Sequence, residues 1–292
     1  MRIINNVRRL WIILFLSMIS HQMFSQTEVE KGLIRMMSYN IKFDDTRDSV
    51  NNWDRRKANV IGLLTYHAPA LFGIQEGLHH QLEDIKSGLS EFDYLGVGRD
   101  DGKQKGEYSA LFYDTKLFKL LRSGTFWLSK TSEVPSKDWD AALPRICTWA
   151  ELKLKDSENT FFVFNTHFDH VGKVARQESI KVIIQKIKAL AGENPVVLMG
   201  DFNFTPQAKP YQLITEFMKD TYTISKLPPY GPEATFNGFQ FLKKPQRRID
   251  YLFVKGNIEV TKYAALSDSR DMKYPSDHFP VVADLKIHGL VE

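Results

Sequence analysis

Gly200-Asp201-Phe202-Asn203 and, beginning 74 residues beyond Asp201, Pro275-Ser276-Asp277-His278-Phe279-Pro280 place carboxylates, an amide and an imidazole against apolar runs. Val196-Val197-Leu198-Met199 leads into the first block and Val281-Val282 leaves the second. A short apolar run ending in Gly-Asp reads as a buried strand that delivers a carboxylate to a sheet end. Two such deliveries, with a histidine beside one of them, are what metal-assisted hydrolysis requires. The pattern recurs at Met36-Met37-Ser38-Tyr39-Asn40-Ile41, at Leu71-Phe72-Gly73-Ile74-Gln75-Glu76, at Phe161-Phe162-Val163-Phe164-Asn165-Thr166-His167 and at Arg248-Ile249-Asp250-Tyr251. One strand-end Asp would only cap a turn. Six segments that end or start on Asn, Glu, His or Asp point to a shared site.

Asn40, Glu76 and Asp277 are hard oxygen donors of the kind Mg²⁺ or Mn²⁺ prefers. Asp277 reads either as a ligand or as the group that orients its neighbour. Zinc is disfavoured, because no Cys/His cluster has ligand spacing.

These blocks, taken in order, resemble the endonuclease/exonuclease/phosphatase superfamily, the metal-dependent phosphoesterases related to pancreatic deoxyribonuclease. The resemblance runs from about Ile34 to Ile287. Gly106-Glu107-Tyr108-Ser109, Thr125-Phe126-Trp127-Leu128-Ser129, Pro144-Arg145-Ile146-Cys147-Thr148-Trp149 and Asp169-His170 with Arg176 resemble a secreted bacterial branch of it. The resemblance implies an α/β fold: a four-layer sandwich of two packed, mostly antiparallel sheets flanked by helices. It also implies roles. Asp201 would orient and deprotonate the attacking water, and Asn203 would hold phosphate or water. Asp250 would hydrogen-bond His278, whose imidazolium would stabilise a developing oxyanion, and His167 would add a second donor. Tyr108, Arg145, Asp169, His170 and Arg176 would contact substrate.

The elements that must position these groups are legible in part. Trp53–His67 carries Val60, Leu63 and Leu64 and is closed by Pro69, which predicts a helix. Lys173–Ala191 repeats isoleucines at helical spacing and stops at Gly192. His79–Leu89 predicts a shorter helix. Tyr94–Val97, Ser109–Tyr113, Thr148–Leu154, Phe161–Asn165 and Val196–Met199 predict strands. Several follow one another across short turns, implying antiparallel pairing. Trp127, Trp139, Trp149, Phe236 and Phe239 read as core. Lys243, Lys244, Arg247 and Arg248 read as a solvated loop.

No linker or repeat divides the 292 residues, and 43% hydrophobic content supports a sizeable core. One domain, 26–292, is expected after a leader, 1–25. Arg2, Arg8 and Arg9 precede an apolar run from Leu10 to Ile19, too short to span a bilayer and suited to a signal peptide cleaved near Ser25-Gln26. The chain is therefore expected in a bacterial periplasm or exterior, with no transmembrane anchor after cleavage. Cys147 is the one cysteine, so no internal disulfide forms. The leader takes with it three arginines and no acid, so a net charge of +4 falls to +1. A protein that tracks duplex DNA shows a strong basic footprint. Near-neutrality favours a small phosphorylated substrate or short oligonucleotide, no stable nucleic-acid complex, and a monomer.

The expected activity is therefore Mg²⁺-dependent hydrolysis of a phosphodiester by activated water. A phosphomonoesterase of sugar or inositol phosphates, or a nuclease, is the alternative. From another class stands a catalytically silent binding module, which would have lost a ligand or the Asp–His pair; none is lost.

Overall fold

A computed structural model describes residues 32–290, so the expected leader lies outside the described residues. Twelve strands form two six-stranded sheets. In the first the order is β11 (Ile258–Ala265), β12 (Val281–Ile287), β1 (Leu33–Asn40), β2 (Leu71–Gln75), β4 (Ser109–Asp114), β3 (Phe92–Leu95). In the second it is β5 (Phe118–Trp127), β6 (Ile146–Leu154), β7 (Thr160–His167), β8 (Val196–Asp201), β10 (Asp250–Lys255), β9 (Lys219–Asp220). β1 with β2 and β7 with β8 run parallel. The other registered pairs are antiparallel. The expected architecture of two mostly antiparallel sheets flanked by helices is the one observed.

Strand alternation sorts side chains between three apolar layers. Met36, Leu71, Leu111, Val163, Val197 and Met199 face inward between the sheets. Their neighbours Met37, Phe72, Phe112, Phe162, Phe164 and Leu198 face outward. Helices α1 (Trp53–His67) and α2 (His79–Gly88) cover the outer face of the first sheet through Val60, Leu63, Leu64, Leu82 and Ile85. Helix α3 (Lys173–Ala191) covers the second through Ile180, Ile183 and Ile187. The short α4 (Lys209–Thr215) completes that side, whereas α5 (Thr221–Ile224) packs Tyr222 and Ile224 against the layer between the sheets.

The predicted helices match closely, because their stop signals are local. Asn52 caps α1 by accepting from the Arg55 amide, and Ala68, before Pro69, ends it in the left-handed region. The predicted strands shift by up to two residues. β5 and β11 escape the sequence reading because they lie at sheet margins and alternate buried with exposed residues, which leaves no apolar run.

A polar seam joins the sheets inside their apolar interface. Asn165 of β7 donates from Nδ2 to the carbonyls of Ile74 and Ala110, at 2.9 and 2.8 Å. Gln75 donates to Asn165 Oδ1 at 2.6 Å and to Ser38 Oγ at 3.1 Å. Gly73 makes this approach possible: a Cβ there would lie 2.6 Å from the Asn165 side chain. Asn165, part of the blocks that carried the resemblance, is thus a buried joint between sheets, and Ser38 of the same sheet as Gln75 braces it.

The basic loop is not uniformly solvated. Lys243, Lys244 and Arg247 are exposed, but Arg248 is buried, pairs with Asp220 at 2.7 Å and lies against Tyr222 and Tyr251. Asp220 and a cage of rings make that burial tolerable.

Candidate active site

Both sheets end their central strands at one pocket of about 590 Å³. From the first sheet come Asn40 at the end of β1, Glu76 just past β2, Glu107 ahead of β4, and Asp277 and His278 ahead of β12. From the second come Arg145 ahead of β6, His167 ending β7, Asp201 ending β8, Asn203 just beyond, and Asp250 opening β10. Three of the residues here hold left-handed backbone: Lys42 at φ 60°, Glu76 at 63° and Asn203 at 50°. Such conformations cost about 1–3 kcal/mol each in a non-glycine residue and persist where the surroundings over-determine them. Gly200 lets β8 reach its terminus, since a Cβ there would lie 2.1 Å from the Thr166 carbonyl oxygen.

Loop anchors fix the first-sheet residues. Arg56 of α1 donates to the carbonyls of Ile41 and Pro275, at 2.6 and 2.9 Å, and of Lys42 at 3.0 Å. Ser276 donates to the Asn40 carbonyl at 2.7 Å. Asn237 is buried, and its amides hold the Ser276 and Asp277 carbonyls.

Asn40 Nδ2 donates to Glu76 Oε1 and to Asp201 Oδ2, both at 3.0 Å, and so ties the halves of the site together. Lys42 Nζ lies 3.6 Å from Glu76 Oε2 and 3.9 Å from Asp277 Oδ2. An ammonium thus stands between two carboxylates. Glu76, His167 and Asp201 also offer ligand atoms within 4.8 Å of one another, as do Asp201, Asp250 and His278. The latter trio reads better as a proton-handling array, because His278 Nδ1 is engaged by Asp250 at 2.9 Å.

Electrostatics separates the roles. Burial would discharge His278, but Asp250 and Asp201 outweigh it and its pKa is pushed up to about 10, so it is an imidazolium. Burial, and then the Asp250 charge, push Asp201 up to about 7. Burial and Glu76 push Glu107 up to about 7, despite a bidentate pair with Arg99 at 2.7 and 2.8 Å. Glu76 stays below the usual range, because Lys42 and His278 outweigh its burial. Crowded carboxylates of this kind fit a divalent cation, which would offset their repulsion.

His167 is neutral, held well below its usual pKa by burial and by Arg145 and Arg99. Its tautomer follows from Asn203. The Asn203 amide donates to the Phe168 carbonyl at 3.0 Å, which fixes its orientation and turns the other N–H towards His167 Nε2 at 3.1 Å. Nε2 therefore accepts, and Nδ1 carries the proton. That Nδ1 is buried with no hydrogen-bond partner among the described residues.

The remaining expected contacts divide. Arg145 lines the pocket, buried over Asp169 at 3.3 Å and beside His170 Nδ1 at 2.9 Å, and its Nη1 has no partner among the described residues. His170 also lines the pocket. Asp169 lies behind Arg145 and accepts from the Val171 and Gly172 amides, so it positions rather than touches substrate. Arg176 donates to the Asp169 carbonyl at 2.8 Å and lines a neighbouring pocket instead. Tyr108 faces away: its hydroxyl donates to the Lys103 carbonyl at 2.9 Å, because it alternates with Glu107, which takes the place in the wall.

Sequence reasoning missed Lys42, Glu107, Thr235 and Arg247. Glu107 obeys the same rule as the others, a carboxylate just before an apolar strand. Thr235, whose hydroxyl donates to Asp250 Oδ2, sits in a loop and carries no signal. Phe236, read as core, instead lines the pocket with its ring edge-on to His278 at 5.1 Å.

Known proteins share this fold. Residues 37–278 match the Endonuclease/Exonuclease/phosphatase family. A member of that family from Bacteroides thetaiotaomicron is 41% identical, with a TM-score of 0.83 over 87% of this chain and 97% of that one. A mannosyl-6-phosphatase of the same organism is 40% identical, with a TM-score of 0.83 over 86% and 99%. An uncharacterised protein of Acanthamoeba polyphaga mimivirus is 28% identical over 53% of this chain. The chain spans 60%, 36% and 47% of the lengths of three curated relatives. With the family match covering most of the sequence, the chain belongs to the endonuclease/exonuclease/phosphatase family of phosphoesterases.

Proposed function

We propose that the chain is an exported, Mg²⁺-dependent phosphomonoesterase acting on a small phosphorylated sugar. The observation that carries the reading is Arg145. Its guanidinium is buried in the pocket wall, held on two nitrogens by Asp169 and His170, and its Nη1 has no partner among the described residues. A buried orphan donor is costly unless a ligand supplies the acceptor. A phosphoryl oxygen is the acceptor that a fixed guanidinium fork matches. His167 Nδ1 is a second orphan in the same wall. With Lys42, Arg247 and the His278 imidazolium, these donors suit a phosphomonoester dianion. The carboxylate of Glu107, oriented by Arg99, offers acceptors to sugar hydroxyls. Sequence alone favoured a diester. The crowd of donors and the 40% identity to a mannosyl-6-phosphatase favour the monoester.

In this reading Asn40 and Glu76 would hold the cation, with Asp277 beside them. When bound, it would neutralise phosphoryl charge as a Lewis acid. Asp201, tuned near neutrality, takes the proton of the attacking water. Asn203, fixed by Phe168, orients His167 so that Nδ1–H points to a phosphoryl oxygen. His278 donates to the oxygen on which charge develops, and Asp250, braced by Thr235, keeps that imidazole protonated.

Turnover of p-nitrophenyl phosphate and of bis(p-nitrophenyl) phosphate with Mg²⁺, and with EDTA, tests the reading. A higher kcat/KM for the monoester, abolished by EDTA, is expected; a faster diester would return phosphodiester cleavage to first place. Export is tested separately: periplasmic or secreted protein should begin near Gln26.

A further inference from the structure

A second pocket, of about 370 Å³, adjoins the catalytic one, and Asn203, Arg247 and Ile249 line both. A group bound in one pocket is therefore a neighbour of a group bound in the other. Lys173, Arg176, Lys209 and Arg247 line this second pocket, with Gln177 and Thr205 as neutral hydrogen-bonding partners, and no carboxylate lines it. Among the described residues Lys173, Lys209 and Arg247 make no ion pair. Arg176 is engaged on one nitrogen by the Asp169 carbonyl and feels the Asp169 and Asp140 charges.

Four cations around one concavity repel each other. The near-neutral chain does not explain them as part of a general basic surface. Nor does helix stability: Lys173 and Arg176 begin α3, whose first turn holds no acid, and the positive end of a helix dipole disfavours cations. A further pocket, of about 540 Å³, makes the contrast: it is lined by Glu233 as well as Lys244 and Arg248, and Arg248 is consumed by Asp220. Unpaired ammonium and guanidinium groups in a cleft are what binding a phosphate requires.

We propose that this pocket is a second phosphate subsite, taking the distal phosphate of a small bisphosphorylated substrate whose scissile phosphate occupies the catalytic pocket. The proposal rests on the phosphoesterase reading for its scissile end, and on Lys173, Arg176, Lys209 and Arg247 for the distal one.

The test uses Lys173→Glu with Lys209→Glu, two exposed side chains outside the catalytic pocket, and Lys173→Ala with Lys209→Ala as the milder pair. With Mg²⁺, kcat/KM is measured for fructose 6-phosphate and fructose 1,6-bisphosphate. Binding of the bisphosphate to metal-free protein in EDTA is measured by calorimetry. Charge reversal should lower kcat/KM for the bisphosphate, and its affinity in EDTA, by about tenfold or more, while the monophosphate stays within about twofold. The alanine pair should show the same selectivity with a smaller loss. Equal losses for both sugars, or no loss for either, would overturn the subsite. So would a short single-stranded oligonucleotide that binds tighter than the bisphosphate and loses as much, since the pocket would then be a strand track. If neither sugar is turned over, nor p-nitrophenyl phosphate, the phosphoesterase reading fails, while calorimetry still decides the pocket.

Discussion

The first sheet brings Asn40, Glu76, Glu107 and Asp277 to its end of the pocket, three carboxylates and an amide. The second brings Arg145, His167, Asp201, Asn203 and Asp250, where the donors and the proton-handling groups collect. The two meet through few bonds: Asn40 to Asp201, His278 to Asp250, and the buried joint of Gln75 with Asn165. The contrast teaches a division of labour. One sheet gathers negative charge that suits a cation. The other holds side chains whose protonation is set by their partners, Asp201 raised and His167 lowered, and its Asp250 raises His278 across the seam.

The largest break in this comparison should come from the second sheet. Asp201→Asn, and His278→Ala across the seam from it, should each lower kcat by about 10²–10⁴-fold or more with the fold intact by circular dichroism, because each removes an interaction made in the transition state. Near-full activity in both variants would dissolve the assigned division. The same pair sets the pH profile. Activity needs Asp201 unprotonated and His278 protonated, so kcat/KM should rise through about pH 7 to a plateau above it and fall near pH 10. A bound cation would shift the acidic limb lower, and a profile falling between pH 7 and 8 would contradict the assignment.

The first sheet should answer differently. Glu76→Gln should raise the Mg²⁺ concentration for half-activation by about tenfold or more and leave most of kcat recoverable at high metal, since an amide is a poorer ligand for a hard cation. A titration that superposes on wild type would remove Glu76 from the ligand set. At the joint, Asn165→Ala removes the donor to the Ile74 and Ala110 carbonyls and one acceptor of the Gln75 amide, and should cost about 1–3 kcal/mol in a denaturant titration. Wild-type stability would show that the joint is dispensable. The smallest effect concerns bulk charge. A substrate touching one or two phosphate sites should lose little affinity between 50 and 200 mM salt, where a duplex tracker loses about 10³–10⁵. Plasmid degradation that collapses across that range would restore the nuclease.

Much of this division was legible from sequence because strands announce their ends. Asn40, Glu76, His167, Asp201, Asp250 and Asp277 each abut an apolar run, and all reach the pocket or brace a side chain that does. What stayed hidden depends on features that leave no pattern. Lys42 enters by a left-handed turn after β1, Thr235 by a loop that doubles back on Asp250, and Arg247 by an irregular segment. Tyr108 and Glu107 show the limit of motif reading: a run of residues was recognised, but alternation decided which of the two faces the substrate. The fold was legible through helix stops such as Pro69 and Gly192, whereas β5 and β11, at sheet margins, offered only half-buried alternation.

The joint of Asn165 with Gln75, Ile74 and Ala110 also bears on how such a protein could change over generations. Because each sheet contributes half of the machinery and the amide of one is keyed to the carbonyls of the other, neither half can be exchanged for that of a distant relative without re-cutting the key. The rim residues, Lys173 and Lys209 at the starts of α3 and α4 and Arg247 in a loop, touch nothing in that lock. New substrate preferences are therefore free to arise at the rim while the hinge-line between the sheets stays as it is.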